Sequence, residues 1–442
     1  MFKTFINAWK VPDLRKKILY TALILLVFRI GAAIPVPFLN ITGALVDPTA
    51  GGGATFMNYL VMMTGDAFNY GTIFAMSVTP YINASIIIEL LTVAIPALEN
   101  LAKEGEEGRK KISRITRYTA VGLALLQSVA YFIYLKSKNY LTTDINGSQF
   151  TGFSLWMQGI VVVAILTAGS ALVIWLGDRI DERGIGNGIS MMLFVGIVSR
   201  IPTMVTTLYQ YFDRGGIYYA AVSIFVVCMF LLIAFIVWMD NAEQRIPVQY
   251  AKRVVGRKMY GGQNSHIPLK VNMTGVLPII FASSILSLPP TINLFIGAEE
   301  GNGWYDHFFK FFNSDSWVYG ILYFLLIIFF DYFYAAIQYN PVEMANNLRK
   351  NSGAIPGIRP GKPTADYLQK IMNKLILLGA LLLSVVALFP IVYSQISKAV
   401  GADMAGVSLG GTSIIILVGV ALETQRQLES QLMMRHYKGF LD

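Results

Sequence analysis

Apolar residues dominate this chain in long uninterrupted runs, and polar residues collect in the gaps between them. Ten such runs stand out, at about 18–37, 71–95, 118–135, 156–176, 186–208, 217–238, 274–296, 317–338, 375–393 and 404–422. Each is close to the roughly 20 residues with which an α-helix crosses a hydrocarbon core of roughly 30 Å. The pattern predicts an all-α polytopic membrane protein with ten transmembrane helices. The tenth run is the least uniform, because "GVSLGGTS" dilutes its start.

Two of the runs share the same irregularity. Residues 77–88 read "SVTPYINASIII" and residues 275–286 read "GVLPIIFASSIL". At an offset of 198 residues, six of twelve positions are identical: Val, Pro, Ile, Ala, Ser and Ile. Apolar composition alone inflates matches among Val, Ile and Ala, but it explains the proline and the Ala-Ser pair less well. The echoing runs are the second and seventh, five spans apart. An odd number of spans reverses chain direction, so the pattern predicts two inverted five-helix halves, 1–210 and 211–442. Within each run, the proline reads as a loosened helix, since proline gives up one backbone hydrogen bond.

Some segments are neither span nor ordinary loop. Residues 51–71 read "GGGATFMNYLVMMTGDAFNYG", in which the apolar piece "FMNYLVMM" is too short to cross. Non-spanning backbone at membrane depth survives only where protein buries it or a cavity holds it. Two readings stand: a movable stopper at about 55–70 hinged on flanking glycines, or an interfacial helix on the outer leaflet. Two long loops, 240–272 and 339–374, each hold six Lys or Arg mixed with Tyr, Pro and Gly. The run "GAIPGIRPGKP" marks an exposed turn. Basic, turn-tipped loops of this length suit docking to an anionic partner, because simple charge decoration accounts for their sign but not their length.

Charge orients the chain. With the N-terminus inside, the inner segments hold 28 of the 35 Lys and Arg, and only seven lie elsewhere. The positive-inside bias therefore places both termini and most of the net charge of +9 on the cytoplasmic face. The lead "MFKTFINAWKVPDLRKK" reads as a basic amphipathic entry to the first span rather than a cleaved signal. A single Cys228 excludes an internal disulfide, and three scattered histidines (His266, His307, His436) speak against a metal site.

Catalytic signatures are weak. "GIRPGKPT" lacks the spacing and the preceding strand of a phosphate loop. "RGIGNGIS" follows a span rather than a strand, so it reads as a tight turn into the fifth span. Neither G-x-S-x-G nor H-E-x-x-H occurs. Glu89, Asp331 and Glu423 fall near span ends, which is thin support for an ion-coupled carrier. Arg29 lies inside the first span, where lining a wet cavity or pairing across it, and snorkelling to the interface, are equally open.

The motifs "PYINASIIIELLT", "EGEEGRKKISRITRY", "DERGIGNGIS", "AKRVVGRKMYGGQNSHIPLKVN", "GVLPIIFASSI", "NPVEMANNLRKNSGAIPGIRPGKPTADYL" and "GGTSIII" come in order along nearly the whole chain. In them the chain resembles the SecY family, channel subunits of the bacterial Sec protein-translocation complex. The resemblance implies an hourglass channel in the plasma membrane with a re-entrant plug, carrying no catalytic group and no cofactor. Its pore ring falls on Val78, Ile82, Leu193, Ile197, Ile280 and Ile416. The pairs 78/82 and 193/197 agree with this independently, because i, i+4 residues share a helix face. The family's ring is rich in isoleucine, from which Val78 and Leu193 depart. The plug maps onto Phe56, Met57, Tyr59, Leu60, Met62 and Met63. The lateral gate, which releases apolar segments into lipid, maps onto Pro80, Asn83, Ser85, Ile86, Pro278, Ser283 and Ser284. Docking of the SecA ATPase or of the ribosome and its RNA maps onto Arg245, Arg253, Arg257 and Arg359. SecE, SecG, signal peptides, the translocating polypeptide and the lipid bilayer complete the implied partners. A small-solute carrier with inverted repeats is the rival class, and it calls for a polar constellation at midplane where the channel calls for an aliphatic waist.

Overall fold

The protein is described here by a computed structural model, which defines residues 2–41, 45, 61, 64–137, 140–141, 153–250, 253–255, 258–260, 264–296, 316–401 and 411–438. Its helices are α1 (Phe2–Lys10), α2 (Pro12–Gly31), α3 (Thr79–Ala94), α4 (Pro96–Lys103), α5 (Glu106–Ser137), α6 (Phe153–Arg183) and α7 (Gly188–Ser199). They continue as α8 (Ile201–Asp213), α9 (Ile217–Asn241), α10 (Leu277–Ile296), α11 (Trp317–Gln338), α12 (Pro341–Lys350), α13 (Lys362–Ala399) and α14 (Gly411–Lys438). Every one of the ten predicted spans carries helix among the described residues, with α7 and α8 together forming the fifth. Among the described residues, six segments qualify by length and apolarity alone to cross a membrane, and the bent α3–α4 pair makes a seventh. The other three spans fall on α2, which opens with Arg15, Lys16 and Lys17, on α10, and on α14, whose second half is polar.

Prolines set the breaks. Ile95 is extended (φ −110°, ψ 113°), as a residue before proline prefers, and α4 leaves α3 at 99° with Pro96 in its first turn. Pro202 likewise starts α8 just after α7 ends.

The second predicted span is helical only from Thr79. Residues 71–78 instead form a chain of turns, nearly all buried. Its polar backbone is satisfied by neighbours: Ile73 N–H donates to Ile34 O (3.0 Å), and Val36 N–H to Gly71 O (3.0 Å). This is irregular backbone packed inside protein, the one setting where it is tolerated at such depth. It also corrects the reading of Pro80 and Pro278 as loosened mid-helix positions. Both stand in the first turn of their helices, Thr79–Ala94 and Leu277–Ile296, where the missing N–H had no helical partner to lose. The two helices begin 198 residues apart, the same offset as the sequence echo, and irregular chain precedes each.

Gly169 of α6 makes room for that turn chain. A Cβ there would lie 2.1 Å from the Ile73 carbonyl oxygen. Gly169→Ala is expected to cost ~1–3 kcal/mol by overpacking, read as a lower Tm of the purified complex. Gly122→Ala, where a Cβ meets nothing within 4 Å, is the control and should not lower it.

The all-α expectation needs one amendment. Loop 240–272 folds as strands β1 (Glu243–Tyr250), β2 (Arg253–Val255), β3 (Lys258–Tyr260) and β4 (Asn264–Lys270). β1 pairs antiparallel with β4, and its end pairs with β5 (Gly353–Ala354) of the other basic loop. The two predicted fingers are thus one unit. Alternation in "EQRIPVQY" turns Ile246 and Val248 inward, where with Leu269 they pack on Leu348 of α12 and on Leu368 and Met372 of α13. At 38 residues, α13 is ~57 Å long, well beyond a bilayer core, and its first turns serve as this platform.

Beside it, Asp331 of α11 is buried and accepts a hydrogen bond from the Thr274 hydroxyl, while the Tyr339 hydroxyl donates to Met273 O (3.0 Å). These bonds fix the irregular chain feeding α10.

Candidate functional site: an aliphatic waist, its seam and its stopper root

The six predicted ring residues fall together in one hydrophobic cluster. Val78 is the residue preceding α3 and is fully buried; its carbonyl accepts from Ile82 N–H (3.1 Å), placing the two one turn apart. Leu193 and Ile197 come one turn apart from α7, Ile280 from α10 and Ile416 from α14, all buried. Four helices that are distant in sequence therefore meet through aliphatic side chains. Phe28 of α2 and Phe74 of the turn chain stack behind them, with ring centroids 5.7 Å apart.

The frame holding α7 is polar and specific. Asn187 caps α7 by accepting from Ser190 N–H (3.1 Å), and Gly188 N–H donates to Asp181 Oδ1 (2.7 Å). Ile185 N–H donates to the Thr21 hydroxyl of α2 (3.0 Å), and Gly186 N–H to Gln427 Oε1 of α14 (2.6 Å). The glycine-rich "RGIGNGIS" is thus the tight turn expected, cross-tied to α2 and α14.

A second cluster adjoins the waist. Ile86 of α3 shares it with Ile279, Phe281, Ala282 and Leu286 of α10, and with Tyr323, Ile327 and Phe330 of α11. Ile82 packs against both clusters. Pro80 and Pro278 are buried, and Asn83 and Ser85 are half-buried. Ser283 and Ser284 are buried, and the Ser283 hydroxyl donates to Ile280 O (2.9 Å) of its own helix.

Of the predicted plug, Phe56, Met57, Tyr59, Leu60, Met62 and Met63 lie outside the described residues. Its root is described. Gly65 adopts φ +63°, and a Cβ there would lie 2.8 Å from both Gly196 O and Ser199 Oγ, so only glycine fits this approach to α7. Arg29 Nη1 donates to Gly65 O (3.3 Å), and Asp66 pairs with Arg200 at 3.3 Å. Burial pushes the Asp66 carboxyl above its usual range, while Arg200 and Arg29 oppose that rise. Tyr131 of α5 donates to Phe68 O (2.6 Å). The sequence raised a pairing role for Arg29 but did not identify the Gly65 carbonyl or the Asp66–Arg200 pair beside it.

Arg359 is exposed in the turn between β5 and α13. The Thr364 hydroxyl donates to its carbonyl (2.8 Å), and Gly357 and Gly361 flank it at positive φ. Arg245 projects from the outward face of β1 and pairs with Glu243 (2.7 Å). Arg253 begins β2, and Arg257 lies outside the described residues.

Residues 72–425 match the family model of SecY, which is most of the chain. The chain is a member of the SecY family. It is 42% identical to the protein translocase subunit SecY of Mycobacterium bovis, over the full length of both chains. It is also 42% identical to that of Corynebacterium glutamicum, over 99% of each, and 41% identical to that of Streptomyces galbus, over all of each. Among solved structures, one described as a protein conducting channel aligns at TM-score 0.61 and 18% identity, covering 94% of this chain and 91% of that one. Sec61 in the canine ribosome–channel complex aligns at TM-score 0.58 and 16% identity over the same shares. The SecY family model starts at Thr72, in the turn chain itself, so α2 and the clamp at Gly65 and Asp66 precede it; the full-length SecY relatives span them.

Proposed function

We propose that this SecY-family chain is a protein-conducting channel. It passes unfolded polypeptides across the bacterial plasma membrane and releases apolar segments sideways into lipid. The observation that carries this is the waist: six aliphatic side chains, Val78 just before α3 and the others on α3, α7, α10 and α14, drawn from both halves of the chain, in one cluster. Aliphatic groups offer no hydrogen bonds to retain a passing chain, and a narrow apolar constriction excludes ions by dewetting. A solute carrier would need polar groups converging there instead. The halves 1–210 and 211–442 would be inverted copies whose common element is the proline-started helix, α3 in one and α10 in the other. Charge supports an orientation with both termini and the β-hairpin in the cytoplasm.

In this reading, residues of about 55–70 are the plug, hung from the clamp at Gly65 and Asp66. The seam between α3 and α10 is the lateral exit. Its apolar contacts have no hydrophobic drive in lipid, so it parts readily for an apolar helix. SecA or the ribosome supplies the driving force through the β-hairpin unit and Arg359, with SecE and SecG as companion subunits. The chain itself changes no covalent bond.

A tether across the seam tests this. Ile86→Cys and Ala282→Cys, bridged by a short bismaleimide in the complete channel, should abolish export and lateral release. A long flexible bridge should restore both. Undiminished export through the short bridge would place the exit elsewhere.

A further inference from the structure

We infer that Glu89 is a recognition site for the cationic flank of the apolar segment that enters the seam, a step that rests on the seam being the lateral exit. The segment's flank is an ammonium or guanidinium group, and Glu89 is its counter-charge.

Glu89 belongs to α3, whose residues Thr79–Ala94 include no Lys, Arg or His. It sits three residues beyond Ile86, one helical turn nearer the α3–α4 bend, and so on the same face. Across the seam it lies within electrostatic reach of Tyr334 on α11. The Tyr334 ring in turn stands edge-on to Phe281 of α10, with centroids 6.2 Å apart. Leu90 and Tyr334 both flank the seam cluster. The carboxylate therefore stands at one end of the packed apolar seam, beside an aromatic ring.

Among the described residues, Glu89 has neither an ion pair nor a hydrogen bond. No described cation pairs with it. That is unusual on this chain, where the inner segments are crowded with Lys and Arg. Two other membrane-edge acids do have partners: Asp240 pairs with Arg426 (2.8 Å), and Asp178 with Arg117 (3.1 Å). A half-buried carboxylate at such an edge is expensive unless something pairs with it.

The guest that suits this arrangement has an apolar run preceded by positive charge. Export signals have that order, a basic lead and then an apolar stretch. With the apolar run between Ile86 and Ala282, the lead emerges at Glu89. A cation there gains the carboxylate and the face of Tyr334 together. The positive lead is held on the cytoplasmic side while the apolar run faces lipid.

The test uses the complete channel in vesicles, with substrates identical in their apolar segment and differing in lead charge from neutral to dibasic. A photoreactive residue in the apolar segment reports contact with α3 and α10. In the unaltered channel, the dibasic lead should raise crosslinking about fivefold over the neutral one, as a partly exposed ion pair warrants. In Glu89→Gln the ratio should fall to about one. In Glu89→Lys, acidic leads should be favoured over basic ones. Glu89→Gln retaining the full ratio would overturn the assignment of Glu89, with the exit reading intact. Absence of seam crosslinks from every substrate in the unaltered channel would overturn the exit reading itself.

Discussion

Ile280→Asn is expected to make the resting channel leak ions. Ile280 is buried with Val78, Leu193, Ile197 and Ile416 in one cluster, and in the proposed channel those side chains exclude water together. An amide at that position demands hydrogen bonds the cluster does not supply. Burying it unpaired costs ~1–3 kcal/mol. Because the open waist hydrates the amide, that cost falls on the closed state alone. The open fraction should therefore rise about tenfold, at ~1.4 kcal/mol per decade. Planar-bilayer conductance of the complex without substrate measures it, and export of substrates with defective signals should rise in parallel. Ile280→Val keeps the waist apolar and should stay tight. A silent Ile280→Asn channel with unchanged stringency would remove Ile280 from the seal.

Arg359→Glu is expected to stop motor-driven export while leaving the protein folded and inserted. The side chain is exposed, and the turn that presents it is held by main-chain features: the Thr364 bond to its carbonyl and the glycines at 357 and 361. Surface changes of this kind shift stability by roughly 0.5 kcal/mol or less. Charge pairs across a docked interface are far more sensitive, with couplings of ~1.5–7 kcal/mol. Reversal of sign should weaken docking at least about tenfold. Motor affinity for channel vesicles and ATP-driven export should fall together, with an unchanged Tm. Normal export by Arg359→Glu would move docking off this turn.

The waist was legible because its information is local. Val78 with Ile82, and Leu193 with Ile197, sit one turn apart, and the motif match linked them to Ile280 and Ile416. The spans were legible for the same reason, since length and apolarity are properties of a single run. What stayed hidden depended on partners far away in sequence. Pro80 looked like a flaw inside a span because the run of apolar residues continues upstream of it. Only Ile34 and Gly169 show why residues 71–78 are held as turns. The basic loops looked like independent fingers, and their joining through Gln249 and Tyr250 to Ala354 and Gly353 is a pairing across about a hundred positions that no local pattern encodes. Arg29 was seen as anomalous without its acceptor, because the Gly65 carbonyl is a backbone atom and has no signature of its own.

Ile82 packs into both the waist and the seam, so the two are not separate valves. In the proposed channel, any tilt of α3 that widens the sideways exit withdraws the same side chain from the axial seal. Every segment delivered to lipid would thus briefly expose the cell's ion gradients, unless the segment itself fills the gap. A long apolar guest does so as it enters. A short or hesitant one does not, and the cost of admitting it is counted in lost membrane potential rather than in failed delivery.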